Sequence, residues 1–334
     1  MYTKDEKAKL RGTQLLTDES VLNMFKTKFD MIHHLREYLY SVGSIEVEVP
    51  YMNKYREGAP VVQYETIDPI TKERFFLRHS PENFLRRIGQ PFRNIYEIGK
   101  NFRVEYEDDF HANEYIVLEH KSVEHSYQQG IDLVVELLKY TMRNTFGSLD
   151  TGIVNFENLS IVTFDELMKK NLGFSMHDPN ASKLALKALE GIEEPLSKEK
   201  YDWEIYELVM KYFIEKKIEE PTIVTDFPVA LQHTAVIDRE KQISKRFSLI
   251  IKGIEVCDGG IKFDNSDEYR AVFEENEDFA RRYMGFEHFE VSPEFYTDVD
   301  NGHMEMFSFG LGIDRLFALC VGKNIHDVIL FPFR

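Results

Sequence analysis

Cysteine is nearly absent from this chain: 334 residues include two, Cys257 and Cys320. Two thiols are too few for a disulfide framework. The first residues, Met1 to Leu10, hold no apolar signal region, and no stretch approaches the ~18 consecutive apolar residues of a membrane helix. These absences predict a soluble protein in the reducing cytoplasm. Basic residues are outnumbered, 41 Lys and Arg against 58 Asp and Glu, for a net charge of −17. A surface field of that sign repels nucleic acid and anionic lipid, which argues against general polyanion binding. Zinc-protease HExxH, redox CxxC, hydrolase GxSxG, the GxxxxGK[ST] phosphate loop and the GxGxxG dinucleotide fingerprint are all missing.

What is present belongs to a folded protein: 43% hydrophobic, 30% charged and 13% aromatic residues, with 18 Gly and 11 Pro, neither disordered nor collagen-like. Thr17-Asp18-Glu19-Ser20 offers N-cap residues before Val21, Met24, Phe25, Phe29, Ile32, Leu35 and Leu39, spaced three or four apart. That spacing predicts a long amphipathic helix ending near Gly43. Ile45, Val47 and Val49 then alternate with Glu46 and Glu48, a strand that Pro50 ends. Short strands are expected near 62–67, 74–78, 95–104 and 114–120, with a helix opening at Ser80-Pro81-Glu82 and a charged hairpin loop from Glu105 to Asn113. After a helix at 126–146, residues 150–220 read as a helical insertion, with helices near 164–171, 180–190 and 201–217 and little that suggests catalysis. Strands return at 222–226 and 246–263, followed by a helix near 267–284 and a last strand and helix over 304–321. Strands that cluster as hairpins imply an α+β fold, a mostly antiparallel sheet flanked by helices.

Four segments carry groups suited to chemistry. Arg103 and Glu105 stand two apart on an expected strand and share a face, where they can clamp an anion and accept from an amino group, or simply pair with each other. In Glu255-Val256-Cys257-Asp258-Gly259-Gly260-Ile261-Lys262, the paired glycines mark a bulge, a close approach or a hairpin turn, and Glu255 with Asp258 could hold Mg²⁺ bound to phosphates. Phe309-Gly310-Leu311-Gly312-Ile313-Asp314-Arg315 opens a helix with a cation on its first turn, suited to an anion or to close packing. Glu82 sits at a helix start, where the dipole stabilises a carboxylate in any protein. His33 and His34, on the long helix, read as surface residues rather than metal ligands.

In this order the segments resemble the class II aminoacyl-tRNA synthetase catalytic core. Thr17 to Pro50 looks like motif 1, Asn101 to Glu119 like motif 2, and Phe309 to Arg315 with the tail Asp327-Val328-Ile329-Leu330-Phe331-Pro332 like motif 3. The nearest pattern is the lysyl-tRNA synthetase group and its shortened relative that attaches a lysine to elongation factor P. The resemblance implies a homodimer built on motif 1 and an ATP-dependent ligase that makes an aminoacyl-adenylate. It further implies that Arg103 holds the α-phosphate and the substrate carboxylate, Glu105 receives the adenine amino group and Tyr115 stacks on adenine. His111 would lie near the outer phosphates, Arg315 would grip the γ-phosphate, and Glu255 would match the Mg²⁺ glutamate. Gly58, Glu82 and Glu119 would surround the substrate's ammonium group.

Three positions depart from the lysyl pattern. Lys262, seven residues past Glu255, replaces a glutamate that binds the substrate ε-ammonium, and Lys121 replaces a tyrosine two residues past Glu119. Two amines in the pocket would repel lysine and favour an acidic or polar side chain, aspartate first. A one-residue shift in strand register would instead turn them outward to pair with Asp264 or Glu124. Ser248 replaces a second metal-binding glutamate, which puts Mg²⁺ use in question. The barrel that reads the anticodon in lysyl and aspartyl enzymes finds no counterpart before motif 1. With the net charge, this leads to the expectation of a single catalytic domain over 1–334 that passes its acyl group to a protein amine, a carrier thiol, a small amine or ammonia. The competing readings are a catalytically silent paralogue that regulates a partner, and a tRNA ligase lacking its own anticodon domain.

Overall fold

A computed structural model of the chain describes residues 10–193, 196–197, 200–288 and 290–332. Helix α1 (Arg11–Thr17) leads into α2 (Glu19–Ser41), whose N-cap Asp18 accepts from the backbone N–H groups of Ser20 and Val21. Of its apolar stripe, Phe25, Ile32, Leu35 and Leu39 are buried as the spacing predicts, together with Met31, whereas Phe29 stays half exposed. Strand β1 (Ile45–Glu46) is shorter than the alternation suggests. Val47 still bonds to the Tyr96 carbonyl, but the Val49 N–H turns to the Glu97 carboxylate and leaves the ladder.

The remaining elements, in chain order, are β2 (Met52–Asn53), β3 (Glu65–Ile67), β4 (Arg74–Leu77), α3 (Glu82–Phe92), β5 (Asn94–Phe102), β6 (Glu114–Ser122), α4 (Tyr127–Phe146), β7 (Ser160–Thr163), α5 (Phe164–Leu172), α6 (Ala181–Ala188) and α7 (Asp202–Val209). Then come β8 (Thr222–Pro228), β9 (Ile237–Asp238), β10 (Ile243–Ile251), β11 (Ile254–Lys262), α8 (Ser266–Tyr283), α9 (Pro293–Gly302), β12 (Met306–Gly312), α10 (Ile313–Val321) and α11 (Ile325–Val328). The main sheet runs β1-β5-β6-β12-β11-β10-β8-β7, with β9 on β10. Only β1–β5 and β7–β8 pair in parallel, so the expected antiparallel α+β architecture is what forms. Strands β2, β4 and β3 make a small separate sheet.

One face of the main sheet is covered by α2, α4 and α10 through a core that includes Leu35, Leu137, Leu249, Phe309 and Leu316. Residues 150–220 bring a strand as well as helices: β7 adds to the sheet beyond β8, and α5 to α7 pack on Val224, Phe227 and Ile250. Beneath motif 3, the buried Lys28 and Asp314 form an ion pair; Lys28 also donates to the Val328 carbonyl at 2.6 Å, and Asp314 accepts from the Ile116 N–H at 2.6 Å. This knot ties α2, β6, α10 and the tail together. Asp314→Ala would strand a buried ammonium and is expected to lower the unfolding free energy in urea by about 3–5 kcal/mol; a loss below ~1 kcal/mol would show the knot to be dispensable.

Candidate functional site

The face of the sheet away from that core lines a cavity of about 820 Å³. Its floor follows from strand register. Glu119 on β6 lies opposite Gly310 on β12, which lies opposite Asp258 on β11, which lies opposite Ser248 on β10. The next row on the same face is Lys121, Ser308, Gly260 and Arg246. Because side chains alternate, one sheet face thus gathers acids, amines and hydroxyls with gaps between them. The glycines are required: a Cβ on Gly310 would stand 2.8 Å from Glu119 Oε2, one on Gly259 would stand 2.3 Å from the Ser308 carbonyl, and one on Gly260 would meet the Lys245 carbonyl at 2.3 Å. Gly259 and Gly260 therefore sit mid-strand to admit neighbouring chain, not at a turn. The bulge lies earlier, where Leu249 pairs Cys257 and Ile250 pairs Glu255, leaving Val256 as the extra residue. It re-aims Glu255, so that Glu255 and Asp258 both reach the cavity.

Arg103 lies just beyond β5 rather than on it; its backbone N–H bonds to the Asn113 carbonyl at 3.0 Å, which closes the hairpin loop. Its guanidinium stands 3.7 Å from Glu105, and its Nε is buried without a protein partner. Arg315, on the first turn of α10, donates to the carbonyls of Glu255 at 2.7 Å and Phe110 at 3.2 Å, joining motif 3 to both the bulge and the hairpin loop. Tyr115 donates to the His79 carbonyl at 3.3 Å, and burial, the largest influence, pushes its phenol up. His111, paired with Asp108 at 2.8 Å, completes this wall.

The amine end is more tightly knit than the sequence implied. Lys262 Nζ contacts Glu82 Oε1 at 2.9 Å and donates to Thr234 Oγ1 at 2.9 Å. Lys121 donates to Ser308 Oγ at 2.8 Å and stands 3.4 Å from Glu82 and 3.9 Å from Glu119. Neither lysine turns outward: Glu124 pairs with Arg93, and Asp264 takes a hydrogen bond from Asn265. Lys262 lines the cavity, whereas Lys121 is fully buried under Ser308 and outside the lining, so it acts through Glu82 and Glu119. Burial would raise the Glu82 carboxyl, but Lys262 and then Lys121 outweigh it and hold the acid well below its ordinary range. Glu119 is pushed up to about 8, chiefly by burial, with Lys121 working against the rise. An incoming ammonium would ionise it.

Gly58 does not line the cavity. It sits at φ +84°, and any Cβ there would enter the Phe273 ring, so its role is to seat the loop against α8. The neighbouring Glu57, which the sequence reading passed over, does line it. Glu57 Oε2 takes the His79 N–H at 3.1 Å, while Oε1 is buried and unpartnered, as is Asn101 Oδ1 nearby on the lining. Two orphaned acceptors in a polar cavity suit a donor-rich ligand. Also unforeseen were Tyr201, Trp203 and Glu207 of the 150–220 segment, and His233 after β8.

The acidic end holds Glu255, Asp258, Glu207 and Arg246. Arg246 donates to Asp258 at 2.7 Å and stands 3.9 Å from Glu255 and 4.0 Å from Glu207. The Ser248 hydroxyl lies 2.9 Å from Glu255 Oε2 and 3.2 Å from Asp258 Oδ1, placed to share its one proton between them. Burial, then Asp258, raises the Glu255 carboxyl despite Arg246. One arginine among three carboxylates leaves negative charge in excess, which fits a divalent cation shared with phosphate oxygens. Among the described residues, the one group of three or more His, Cys, Asp or Glu side chains with metal-ligand spacing is His33, His34 and Glu37 on α2, far along the chain from this wall.

A sequence profile of the family described as tRNA synthetases class II (D, K and N) matches residues 3–334. The chain belongs to that family. It is 29% identical over 339 aligned residues to the lysine–tRNA ligase of Thermotoga maritima, an alignment covering 96% of the chain and 65% of that enzyme. It is 26% identical to the lysine–tRNA ligase of Methanoculleus marisnigri, over 96% of the chain and 65% of the relative, and 26% identical to that of Coxiella burnetii, over 99% and 68%. The chain thus spans about two thirds of the length of these relatives. Motif 1, Thr17 to Pro50, covers α2 and β1 and contributes no residue to the cavity lining; motif 2 is the β5–β6 hairpin and motif 3 is β12 with α10, and residues of both line the cavity.

Proposed function

We propose that the cavity joins an amino acid to AMP and then hands the acyl group to an acceptor. The observation that carries this is the convergence of Arg103, Glu105, Arg315 and Glu255 on one cavity, in a member of this family. A substrate carboxylate oxygen attacks the α-phosphorus of ATP, the bond to the bridging oxygen breaks, and pyrophosphate leaves. Arg103, at the α-phosphate, cancels charge as it builds; Arg315 and His111 hold the outer phosphates; Glu105 accepts from the adenine amino group and Tyr115 packs on its ring. Mg²⁺ held by Glu255, with Asp258 beside it, would neutralise the departing pyrophosphate. No side chain serves as nucleophile, because positioning and charge cancellation suffice.

The amine end supports a substrate with an accepting side chain, aspartate first and glutamate next, with Lys262 and Thr234 facing that side chain. Glu119, aided by the free Glu57 oxygen, receives the α-ammonium. Lysine would place a third cation beside Lys262 and Lys121. Pyrophosphate exchange into ATP against a panel of amino acids tests this: exchange with aspartate or glutamate supports it, and preference for lysine overturns the specificity while sparing the chemistry. We also propose a non-tRNA acceptor, on the net charge of −17. The names of the relatives favour a second reading, a tRNA ligase, which charging of total tRNA would establish.

A reducing, cytoplasmic site of action suits the two free, buried cysteines, and no helix among the described residues is long and apolar enough to cross a membrane. A homodimer suits the edge formed by α2 and β1, where Phe29, Tyr40, Val42 and Ile45 stay exposed. Sedimentation of the protein at micromolar concentration is expected to give a dimer, and Tyr40→Glu with Ile45→Glu to give monomers; a monomer in the unchanged protein would contradict this.

A further inference from the structure

The reading of His33 and His34 as plain surface residues changes once their neighbours on α2 are placed. Asp30, His33, His34 and Glu37 follow an i, i+3, i+4, i+7 spacing and so leave one side of the helix. One ligand atom each from His33, His34 and Glu37 lies within 4.8 Å of the others, and the two rings stand 5.5 Å apart. His34 Nδ1 is 3.1 Å from Glu37 Oε2, close to the ~3.3 Å that separates two ligands of one tetrahedral ion with bonds of ~2.0–2.1 Å. The carboxylate is also held from the neighbouring helix: Tyr140 of α4 donates to the same Oε2 at 3.1 Å, and its ring packs 5.4 Å from that of Tyr38. Ligating carboxylates are commonly fixed by an outer hydrogen bond of this kind. The groups with most influence on the Glu37 carboxylate are His34, Tyr140 and His33 rather than any lysine or arginine. Arg36, its neighbour in the chain, is taken by Glu46 at 2.9 Å, and Lys139, beside Tyr140, lies 3.4 Å from Glu136.

We propose that His33, His34 and Glu37 bind one zinc ion on the outer surface of the α2–α4 pair, at a site separate from the cavity and independent of its chemistry. The donor set selects the ion. Two imidazole nitrogens and one carboxylate oxygen suit zinc and its transition-metal neighbours, whereas Mg²⁺ prefers oxygen and keeps its waters. Neutral imidazoles leave the charge of Zn²⁺ to Glu37 and to Asp30, an exposed acid one turn earlier on the same face but outside the compact group. Three protein ligands leave the fourth position to water. Because Glu37 is anchored through Tyr140, a bound ion ties α2 to α4 rather than decorating one helix. It thereby stiffens the stretch of α2 that carries the exposed Phe29 and Tyr40 on the adjoining stripe.

The test takes the intact protein, stripped with a chelator and then supplied with Mg²⁺ in excess to occupy the carboxylates of the cavity, and titrates it with Zn²⁺ by calorimetry and with Co²⁺ by visible absorption. One Zn²⁺ per chain is expected, with a Co²⁺ spectrum of the intense four-coordinate kind. His33→Ala or His34→Ala should weaken Zn²⁺ binding by more than ~10²-fold, beyond the ~10–100-fold that loss of an outer support costs, and Tyr140→Phe by ~10-fold. Zn²⁺ should raise the Tm of the unchanged protein by ~2 °C or more and leave that of the double variant His33→Ala/His34→Ala where it is. His33 and Glu37 are exposed and His34 only partly covered, so these variants are expected to keep the circular dichroism of the parent. Unchanged Zn²⁺ affinity in the double variant would place the ion elsewhere and overturn the proposal. So would the absence of Zn²⁺ binding with Mg²⁺ in excess. Neither result bears on the adenylate reading, which pyrophosphate exchange tests alone.

Discussion

Replacing Arg103 with alanine is expected to lower kcat/KM for amino-acid-dependent pyrophosphate exchange by ~10²-fold or more, the usual loss when a preorganised charge donor is removed from a reacting centre. The reasoning is geometric. Arg103 is held at the mouth of a closed hairpin, its Nε is buried without a protein partner, and its nearest acid, Glu105, stands at 3.7 Å, too far for a tight pair. A guanidinium so placed is available to an anion without first breaking a strong internal bond. Burial alone would disfavour its charge, yet Tyr115 and Glu105 more than restore it, so the cation persists at any working pH. Arg315→Ala should lose activity too, but with damage to the wall itself, since that side chain ties the Glu255 and Phe110 carbonyls together. Exchange near the unchanged rate in Arg103→Ala, with the fold intact by circular dichroism, would contradict the assignment.

Lys262→Glu is expected to abolish exchange with acidic substrates, by ~10²-fold or more, and to create weak exchange with lysine. The substitution sets a new carboxylate beside Glu82, whose present partner at 2.9 Å is the Lys262 amine. Lys121 would then be the one remaining amine in contact with Glu82, Glu119 and the new acid. Such an excess of negative charge at the end of a poorly solvated pocket repels a substrate carboxylate and attracts an ammonium. A variant that still prefers aspartate would show that Lys262 serves only to neutralise Glu82. Measuring the same exchange in Lys262→Met separates the two effects, because methionine removes the cation without adding an anion.

The centre of the fold was legible because its residues obey short-range rules. The Asp18 cap, the three-and-four spacing along α2, and the alternating strands of the β5–β6 hairpin all depend on neighbours in sequence. The site was legible to the extent that motif residues reach the cavity from strand ends and helix starts: Arg103, Glu105, Tyr115, Glu119, Glu255 and Arg315 all line it. The failures share a different cause. Lys121 follows Glu119 by two and shares its face, yet Ser308 from the adjacent strand covers it, a fact of packing that no local pattern contains. Gly58 looks like a ligand contact in a linear motif, but its space is filled by Phe273 from a helix more than 200 residues later. The 150–220 segment showed only amphipathic helices, and only tertiary contact reveals that Trp203 and Glu207 face a shared cavity. β7 has four residues and α9 opens on a proline after a charged stretch, too little pattern for either to be seen. The bulge at Val256 was signalled by the glycine pair three residues on, but its position, which decides where Glu255 points, is set by pairing with β10.

The central claim is that a substrate carboxylate attacks the α-phosphorus of ATP in this cavity, and isotope transfer reads that bond directly. Aspartate labelled with ¹⁸O in both carboxyl groups, incubated with ATP, Mg²⁺, pyrophosphatase and hydroxylamine as acceptor, should yield AMP carrying one ¹⁸O, because the later acyl transfer breaks the carbon–oxygen bond and leaves the label on phosphate. AMP without label, or ADP as the nucleotide product in the presence of any amino acid, would contradict the account.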